Sequence, residues 1–236
     1  IGGPTGATAL NHERSTGPKT IAALAEAAAA LDNQSVATLA RRHDLALPAS
    51  ARSGKGFVGV LMERVLGADG GSLPLPDFNA LGVELKTVPV NAERRPREST
   101  YVCVAPTGGA HPPRFEDSLV CLKLRRVLFV PVQTSPDHSL GESVVRRPVL
   151  WEADRASLDR IARDWHELTE MLATGSGDLI SGTMGEVLQL RPKAAHGRDL
   201  HPGFDDDGAP AERLPLGFYL RARFVGAILE GAEGLA

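Results

Sequence analysis

The sequence predicts an α/β or α+β fold, in which helices flank a small mixed β-sheet. Several segments repeat apolar residues at helical spacing, the longest of them over residues 154–174. Four shorter segments have the composition of strands, and one of them, Val127–Val132, is a nearly continuous apolar run typical of a buried strand. A chain of 236 residues can bury a core as one large domain or as one domain split into two lobes.

The first part of the chain is predicted to be helical after a flexible tail. Residues 1–17 are rich in Gly, Thr and Pro without periodicity, so we assign the folded domain to residues 18–236. Ser35 is positioned to cap the second of three predicted helices. These helices cover Pro18–Leu31, residues 36–44 and residues 56–67, and a Gly- and Pro-containing loop follows over Gly67–Pro76.

Strands and helices are predicted over the rest of the chain. The strand candidates are Leu81–Val90, Thr100–Ala105, Val127–Val132 and the alternating Glu186–Arg191. The long amphipathic helix over residues 154–174 ends before Gly175. Asp199–Pro215 is predicted to be an acidic loop, and Phe218–Leu229 to be mostly helical.

Composition limits the function classes. The net charge of −3 argues against a protein that coats nucleic acid nonspecifically, but it leaves open a locally basic cleft. No apolar run reaches eighteen residues and no signal peptide is evident, so we expect no membrane association. We interpret Cys103 and Cys121 as reduced core thiols, which favours a cytoplasmic protein.

The strand Leu81–Val90 carries the residues with the clearest chemistry. Residues two apart share a face of a strand, so Glu84 and Lys86 lie together, and Asp77 precedes them across the Pro76 turn. Carboxylates are hard ligands that suit Mg²⁺, and a lysine beside them can stabilise phosphoryl charge. The trio therefore predicts metal-dependent phosphodiester hydrolysis, with Asp77 and Glu84 as metal ligands. An exposed strand edge with a surface ion pair is the alternative.

Two further observations bear on this site. Only five of the 26 basic residues are Lys, and each of them is a mild sign that a compact ammonium is required. Glu63, on the predicted helix over residues 56–67, could supply another carboxylate to the site or simply face solvent.

Eight segments match a known family in a consistent order over roughly residues 19–230. They are Gly54–Glu63, Asp77–Phe78, Leu81–Thr87, Thr100–Pro106, Lys123–Leu128, Leu188–Ala195, Leu214–Pro215 and Gly217–Leu220. This ordered match is a resemblance to the MutH family of DNA mismatch repair endonucleases. It implies the restriction-endonuclease fold, with a mixed sheet flanked by helices and two lobes around a DNA cleft, in a monomer.

The resemblance also implies residue roles. Asp77, Glu84 and Lys86 match the catalytic trio, Glu63 matches an additional active-site carboxylate and Lys123 matches a lysine near the scissile phosphate. The matching DNA-contacting residues are Lys55, Tyr101, Arg191, Lys193 and Tyr219. Among them, Tyr219 matches the tyrosine held against the adenine whose N6-methyl group would be sensed. Tyr101 is a conservative departure from the family pattern that retains an aromatic face, and Cys121 and Leu122 replace more basic residues before Lys123.

The implied activity is Mg²⁺-dependent nicking of the unmethylated strand at GATC, 5′ of the G, in hemimethylated or unmethylated DNA, with stimulation by MutL. A restriction-type enzyme of the same fold that cuts both strands is an alternative, although it would need a dimer or a duplicated domain. A noncatalytic DNA- or MutL-binding module is a second alternative, against which the intact trio argues. A His-based metal site is disfavoured because the seven His residues show no ligand spacing.

Overall fold

The computed structural model describes residues 17–49, 56–71, 74–105, 114–135, 137–173, 182–193, 201–204, 210–213 and 215–231. Its α-helices are α1 (Ile21–Ala29), α2 (Val36–Arg42), α3 (Phe57–Leu66), α4 (Leu119–Leu124), α5 (Arg155–Ala173) and α6 (Ala222–Leu229). Its strands are β1 (Glu84–Val90), β2 (Thr100–Val104), β3 (Arg126–Gln133), β4 (Val144–Val145), β5 (Val149–Glu152), β6 (Leu188–Pro192), β7 (His201–Phe204), β8 (Pro210–Arg213) and β9 (Leu216–Leu220).

A four-stranded mixed sheet lies at the centre of the fold. β1 pairs with β3 in parallel, and β4 and β5 pair with β3 in antiparallel. Apolar clusters cover both faces of β3, because Val127 and Phe129 belong to one cluster and Leu128 and Val130 to the other. Burial on both faces explains the nearly continuous apolar sequence of this strand.

A second sheet is antiparallel and has the order β2-β9-β6. β9 is its central strand, and Tyr219 lies opposite Tyr101 on one side and opposite Gln189 on the other. Strands β7 and β8 form a separate antiparallel pair. The predicted fold class, helices flanking mixed sheets, is confirmed.

Several predicted elements are confirmed, and the structure shows the residues that cap two of the helices. The Ser35 hydroxyl caps α2 by accepting a hydrogen bond from the Thr38 amide at 3.2 Å. The long helix α5 covers the predicted segment, and Asp154 caps its first turn by accepting from the Ser157 amide at 2.7 Å. Cys103 and Cys121 are free and buried, as predicted.

The predicted helix over Phe218–Leu229 is wrong in its first part. Strand β9 occupies Leu216–Leu220, and α6 begins only at Ala222. Phe218 and Leu220 are buried while Tyr219 between them is not, which is the two-residue period of a strand. The extended Arg221 separates the two elements as the N-cap of α6.

Other predictions need smaller corrections. The segment Asp199–Pro215, predicted to be a loop, contains β7 and β8. Strand β5 and helix α4 are too short to give a clear period in the sequence. Apart from Gly17, the predicted tail over residues 1–17 lies outside the described residues, and the two-lobe division of residues 18–236 stays a prediction. Among the described residues, no helix is long and apolar enough to span a membrane.

Candidate active site

A buried carboxylate held by two lysines forms the centre of the site. The Glu84 side chain is 1% exposed. The Lys86 ammonium donates to its Oε1 at 2.6 Å, and the Lys123 ammonium donates to Oε1 at 2.9 Å and to Oε2 at 3.0 Å. The side chain of Lys86 is 16% exposed and that of Lys123 is 13% exposed. The group formed by Glu84 and the two lysines is therefore shielded from water but still reachable from outside. Its charges therefore interact more strongly than those of a surface pair.

The strand alternation that the sequence predicts places Glu84 beside Lys86. Their neighbours Val83 and Leu85 are buried in the apolar cluster on the other side of the strand. Lys123 comes from α4, which Ser118 caps by accepting from the Cys121 amide at 3.1 Å. The sequence suggested a role for Lys123 only through the family resemblance, because 39 positions separate it from Glu84.

The loop before β1 fixes Asp77. The Leu85 amide donates to Asp77 Oδ2 at 2.8 Å. The Asp77 carbonyl in turn accepts from the amides of Asp69 and Gly70, at 2.9 and 2.8 Å. Both the backbone and the carboxylate of Asp77 are therefore positioned by hydrogen bonds.

Gly70 packs directly against this backbone. A Cβ atom at this position would lie 2.6 Å from the Pro76 carbonyl oxygen and 2.9 Å from Asp77 Cα. We expect Gly70→Ala to displace Asp77 and to lower the single-turnover cleavage rate about 100-fold, the cost of misplacing a reacting group by roughly 1 Å. The rate, measured alongside the thermal unfolding midpoint, checks this.

Gly59→Ala is the matched control for that substitution. Gly59 lies within α3, and a Cβ atom there would meet nothing within 4 Å. Alanine in a helix is favoured over glycine by about 0.8–1.0 kcal/mol, so this variant should be at least as stable as wild type and fully active. Wild-type activity in Gly70→Ala would show that the backbone there does not position Asp77.

Three carboxylates crowd this region. Burial raises the pKa of Asp77, and the nearby Glu84 charge raises it further. Burial likewise raises the pKa of Glu63, followed by the charge of Asp77, with Lys86 and Lys123 opposing the shift. The structure thus brings Glu63 on α3 into the electrostatic field of the trio. A cation placed among these groups would favour their ionised forms.

The donor set fits a hard cation. Within the described residues, no group of three or more His, Cys, Asp or Glu is arranged as a preformed metal cage. Mg²⁺ does not require one, since it keeps several waters and typically takes one or two carboxylates plus a substrate phosphate. Asp77 Oδ2 accepts from Leu85, whereas no hydrogen bond within the described part of the chain engages Asp77 Oδ1 or the Glu63 carboxylate.

An aromatic pair lies beside the carboxylates. The rings of Tyr101 and Tyr219 meet edge to face, with centroids 5.3 Å apart. They pack over Gly217, where a Cβ atom would lie 2.9 Å from Tyr101 Cε2 and 3.2 Å from Tyr219 Cε2. Burial raises the pKa of the Tyr101 phenol, and the charge of Lys123, which also pairs with Glu84, opposes the shift.

Two cations lie over these rings. The Arg191 guanidinium carbon is 5.9 Å from the Tyr219 centroid, and the Lys193 ammonium is 5.0 Å from the Tyr101 centroid. The second sheet therefore brings together four of the residues predicted to bind DNA. The fifth, Lys55, lies outside the described residues.

Sequence reasoning missed some contributors to this region. The Leu75 carbonyl accepts from Lys123 at 3.3 Å, and Gly70 supports Asp77. Both lie in a segment interpreted only as a loop, where composition gives no sign of such contacts. Gln189 was treated as part of a strand, although a polar residue between two buried leucines could have drawn attention to it.

The family profile and the similar proteins that match this sequence carry the same description. The sequence profile of a family described as "DNA mismatch repair enzyme MutH" matches residues 66–164. The "DNA mismatch repair protein MutH" of Shewanella baltica (strain OS195) is 42% identical over 217 residues, covering 92% of this chain and 97% of that protein. Proteins of the same description from Shewanella sp. (strain W3-18-1) and Shewanella sp. (strain MR-7) are 42% and 41% identical, with the same coverage.

Proposed function

This chain belongs to the MutH family of DNA mismatch repair enzymes, and from that premise we propose that it is a Mg²⁺-dependent DNA endonuclease. It nicks the unmethylated strand at GATC, 5′ of the G, in hemimethylated or unmethylated DNA during methyl-directed mismatch repair. The observation that carries the proposal is the buried Glu84 carboxylate, held between Lys86 and Lys123 with Asp77 on the adjoining loop.

Asp77 and Glu84 would hold the metal, with Glu63 close enough to contribute to its field. When bound, Mg²⁺ lowers the pKa of a coordinated water and offsets charge on the phosphate. Lys86 and Lys123 both donate to Glu84 Oε1, so they would share this carboxylate with a bound cation. An ammonium that shares Glu84 in this way would be available to the substrate phosphate.

The two lysines provide charge for the reaction. Phosphodiester hydrolysis places negative charge on the phosphoryl oxygens and the leaving oxygen, and ammonium groups fixed nearby stabilise that charge without reorganisation. Lys86 is anchored by a strand and Lys123 by a helix and the Leu75 carbonyl. Lys86 orients the attacking water and Lys123 contacts the scissile phosphate.

Tyr219 is proposed to sense methylation. Its ring is fixed between Tyr101, Arg191 and the close backbone of Gly217. A methyl group on adenine N6 changes the major-groove edge, and a rigid aromatic neighbour converts the added methyl into a clash.

Tyr219→Ala should relax this discrimination, raising cleavage of a fully methylated GATC duplex relative to an unmethylated one. Tyr219→Phe retains the ring and shows whether the hydroxyl contributes. For each variant, the measurement is the single-turnover rate on the fully methylated duplex divided by the rate on the unmethylated duplex. A ratio equal to that of wild type in both variants would remove Tyr219 from methyl sensing.

We further propose that the protein acts as a monomer on double-stranded DNA in the cytoplasm and is stimulated by MutL. A covalently closed, unmethylated GATC plasmid, incubated with Mg²⁺ with and without MutL, tests the function. Open-circular product that increases with MutL is expected. Linear DNA as the main product would favour a restriction-type enzyme, and absence of cleavage with MutL would leave only a noncatalytic binding module.

A further inference from the structure

A polar cavity of about 500 Å³ opens beside β6, at the start of α6. Its walls include Ser99, Gln189, Arg191, Arg221 and Arg223, and we name it the arginine cavity. Three of its lining residues are arginines and none is acidic. This composition favours an anionic ligand.

Gln189 is a buried polar side chain in the wall of the arginine cavity. It is 6% exposed, and it alternates along β6 with Leu188 and Leu190, which belong to the apolar core. Its side-chain amide makes no hydrogen bond to any described residue, although it lines the arginine cavity. The amide is thus placed where water or a ligand in the cavity can pair with it.

The arginines are fixed in place by backbone carbonyls. Arg221 donates to the carbonyls of Gly185 and Met184, at 2.8 and 2.5 Å, and Arg223 donates to that of Glu186 at 2.9 Å. Burial lowers the pKa of Arg221, the like charge of Arg223 lowers it further, and the charge of Asp164 opposes the shift. The two guanidinium groups therefore repel each other while their carbonyl partners hold them in place.

Two other features add positive potential to the arginine cavity. Helix α6 begins there, and its N-cap residue Arg221 makes no side-chain capping bond to the helix. Arginines at a helix N-terminus face the positive end of the helix dipole, an arrangement that an anion would stabilise. The nearby Glu186 carboxylate is paired with Arg160 and Arg163, at 3.0 and 3.6 Å.

The arginine cavity lies at one side of the aromatic pair. Because β9 is the central strand, Tyr219 lies between Gln189 on β6 and Tyr101 on β2. The aromatic pair and the arginine cavity therefore adjoin each other on the second sheet, and the charge of Lys123, which pairs with Glu84, acts on Tyr101. Arg191 belongs both to the aromatic pair and to the cavity wall.

We propose that the arginine cavity binds a backbone phosphate of the DNA duplex, with Arg223 and Arg191 supplying charge and the Gln189 amide donating a hydrogen bond. The proposal rests on the proposed function, because it places a DNA contact beyond Tyr219. A phosphate contact fixes the register of the duplex without reading a base. Its function would be to hold the GATC site in line with the carboxylates.

DNA binding in the absence of divalent metal tests the proposal. Affinities are measured for one duplex with GATC and one with those four base pairs scrambled, over a range of salt. Arg223→Gln is expected to weaken binding to both duplexes about tenfold. It should also lower the slope of log affinity against log salt by about one.

Gln189→Leu separates a ligand contact from a structural role. Because the Gln189 amide makes no hydrogen bond to a described residue, replacing it by an apolar group of similar size should keep the thermal unfolding midpoint while weakening binding to both duplexes. Arg155→Gln is the control, since Arg155 is 91% exposed and pairs with Asp159 four residues along α5. It should change neither affinity nor slope.

The outcomes are distinguishable. A wild-type slope in Arg223→Gln, or a loss confined to the GATC duplex, would overturn the phosphate assignment and leave the proposed endonuclease standing. A fall in the unfolding midpoint of Gln189→Leu with unchanged binding would assign Gln189 a structural role and contradict its part in the proposal. A wild-type protein that binds no duplex at all would overturn the proposed function and this inference together.

Discussion

Replacing Glu84 by Gln is expected to lower the rate of GATC nicking by at least about 100-fold, as losses of preorganised charge in active sites do. The amide is nearly isosteric but uncharged, so it loses the attraction for a divalent cation and for the two ammonium groups. DNA binding should persist, because the substitution makes the site more positive. Single-turnover nicking and metal-free fluorescence anisotropy measure the two effects separately.

Glu152→Gln is the matched control for Glu84→Gln. Glu152 is 69% exposed and pairs with Arg126 at 2.6 Å on the surface of the sheet. Such a pair contributes only about 0–1 kcal/mol to stability, so this variant should nick at the wild-type rate. Retained nicking in Glu84→Gln, with its fold verified by circular dichroism, would exclude Glu84 from the catalytic site.

Asp77→Asn is expected to have an effect of similar size, about 100-fold or more on the nicking rate. Asparagine can still accept the hydrogen bond from the Leu85 amide, so the loop geometry is preserved while the charge is removed. Wild-type protein should gain thermal stability from added Mg²⁺ or Mn²⁺ because binding to the folded state shifts the folding equilibrium. The variant should lose that gain.

Asp69→Asn provides the comparison for Asp77→Asn. Asp69 lies on the same loop and also accepts a backbone hydrogen bond, from the Asn79 amide at 3.0 Å, but its side chain is exposed. The Asp69→Asn variant should retain both the nicking activity and the gain in thermal stability on addition of Mg²⁺ or Mn²⁺. A metal-dependent shift that survives in Asp77→Asn would mean that the ion is held elsewhere.

Local patterns in the sequence predicted much of the fold. The caps at Ser35 and the amphipathic period of α5 depend on neighbours within one or two turns, so a single sequence contains their signal. The strand β9 was mistaken for helix because its five residues lead directly into α6. Apolar runs this short do not distinguish the two-residue period of a strand from the 3.6-residue period of a helix.

The site could be predicted in part for the same reason. Glu84 and Lys86 share a strand face, and that local relation needs no knowledge of the rest of the chain. The contact of Tyr101 with Tyr219 depends on the pairing of strands more than 100 positions apart. The contact of Gly70 with Asp77 depends on loop geometry. Neither has a signature in composition or spacing.

A hemimethylated GATC duplex with a different fluorophore on each strand shows which strand the enzyme cuts, and where. With Mg²⁺ and MutL, we expect one product, cut 5′ of the G on the unmethylated strand, and none when Asp77 is replaced by Asn or Glu84 by Gln. Cleavage of both strands, cleavage away from GATC, or wild-type cleavage by either amide variant would contradict the proposed function.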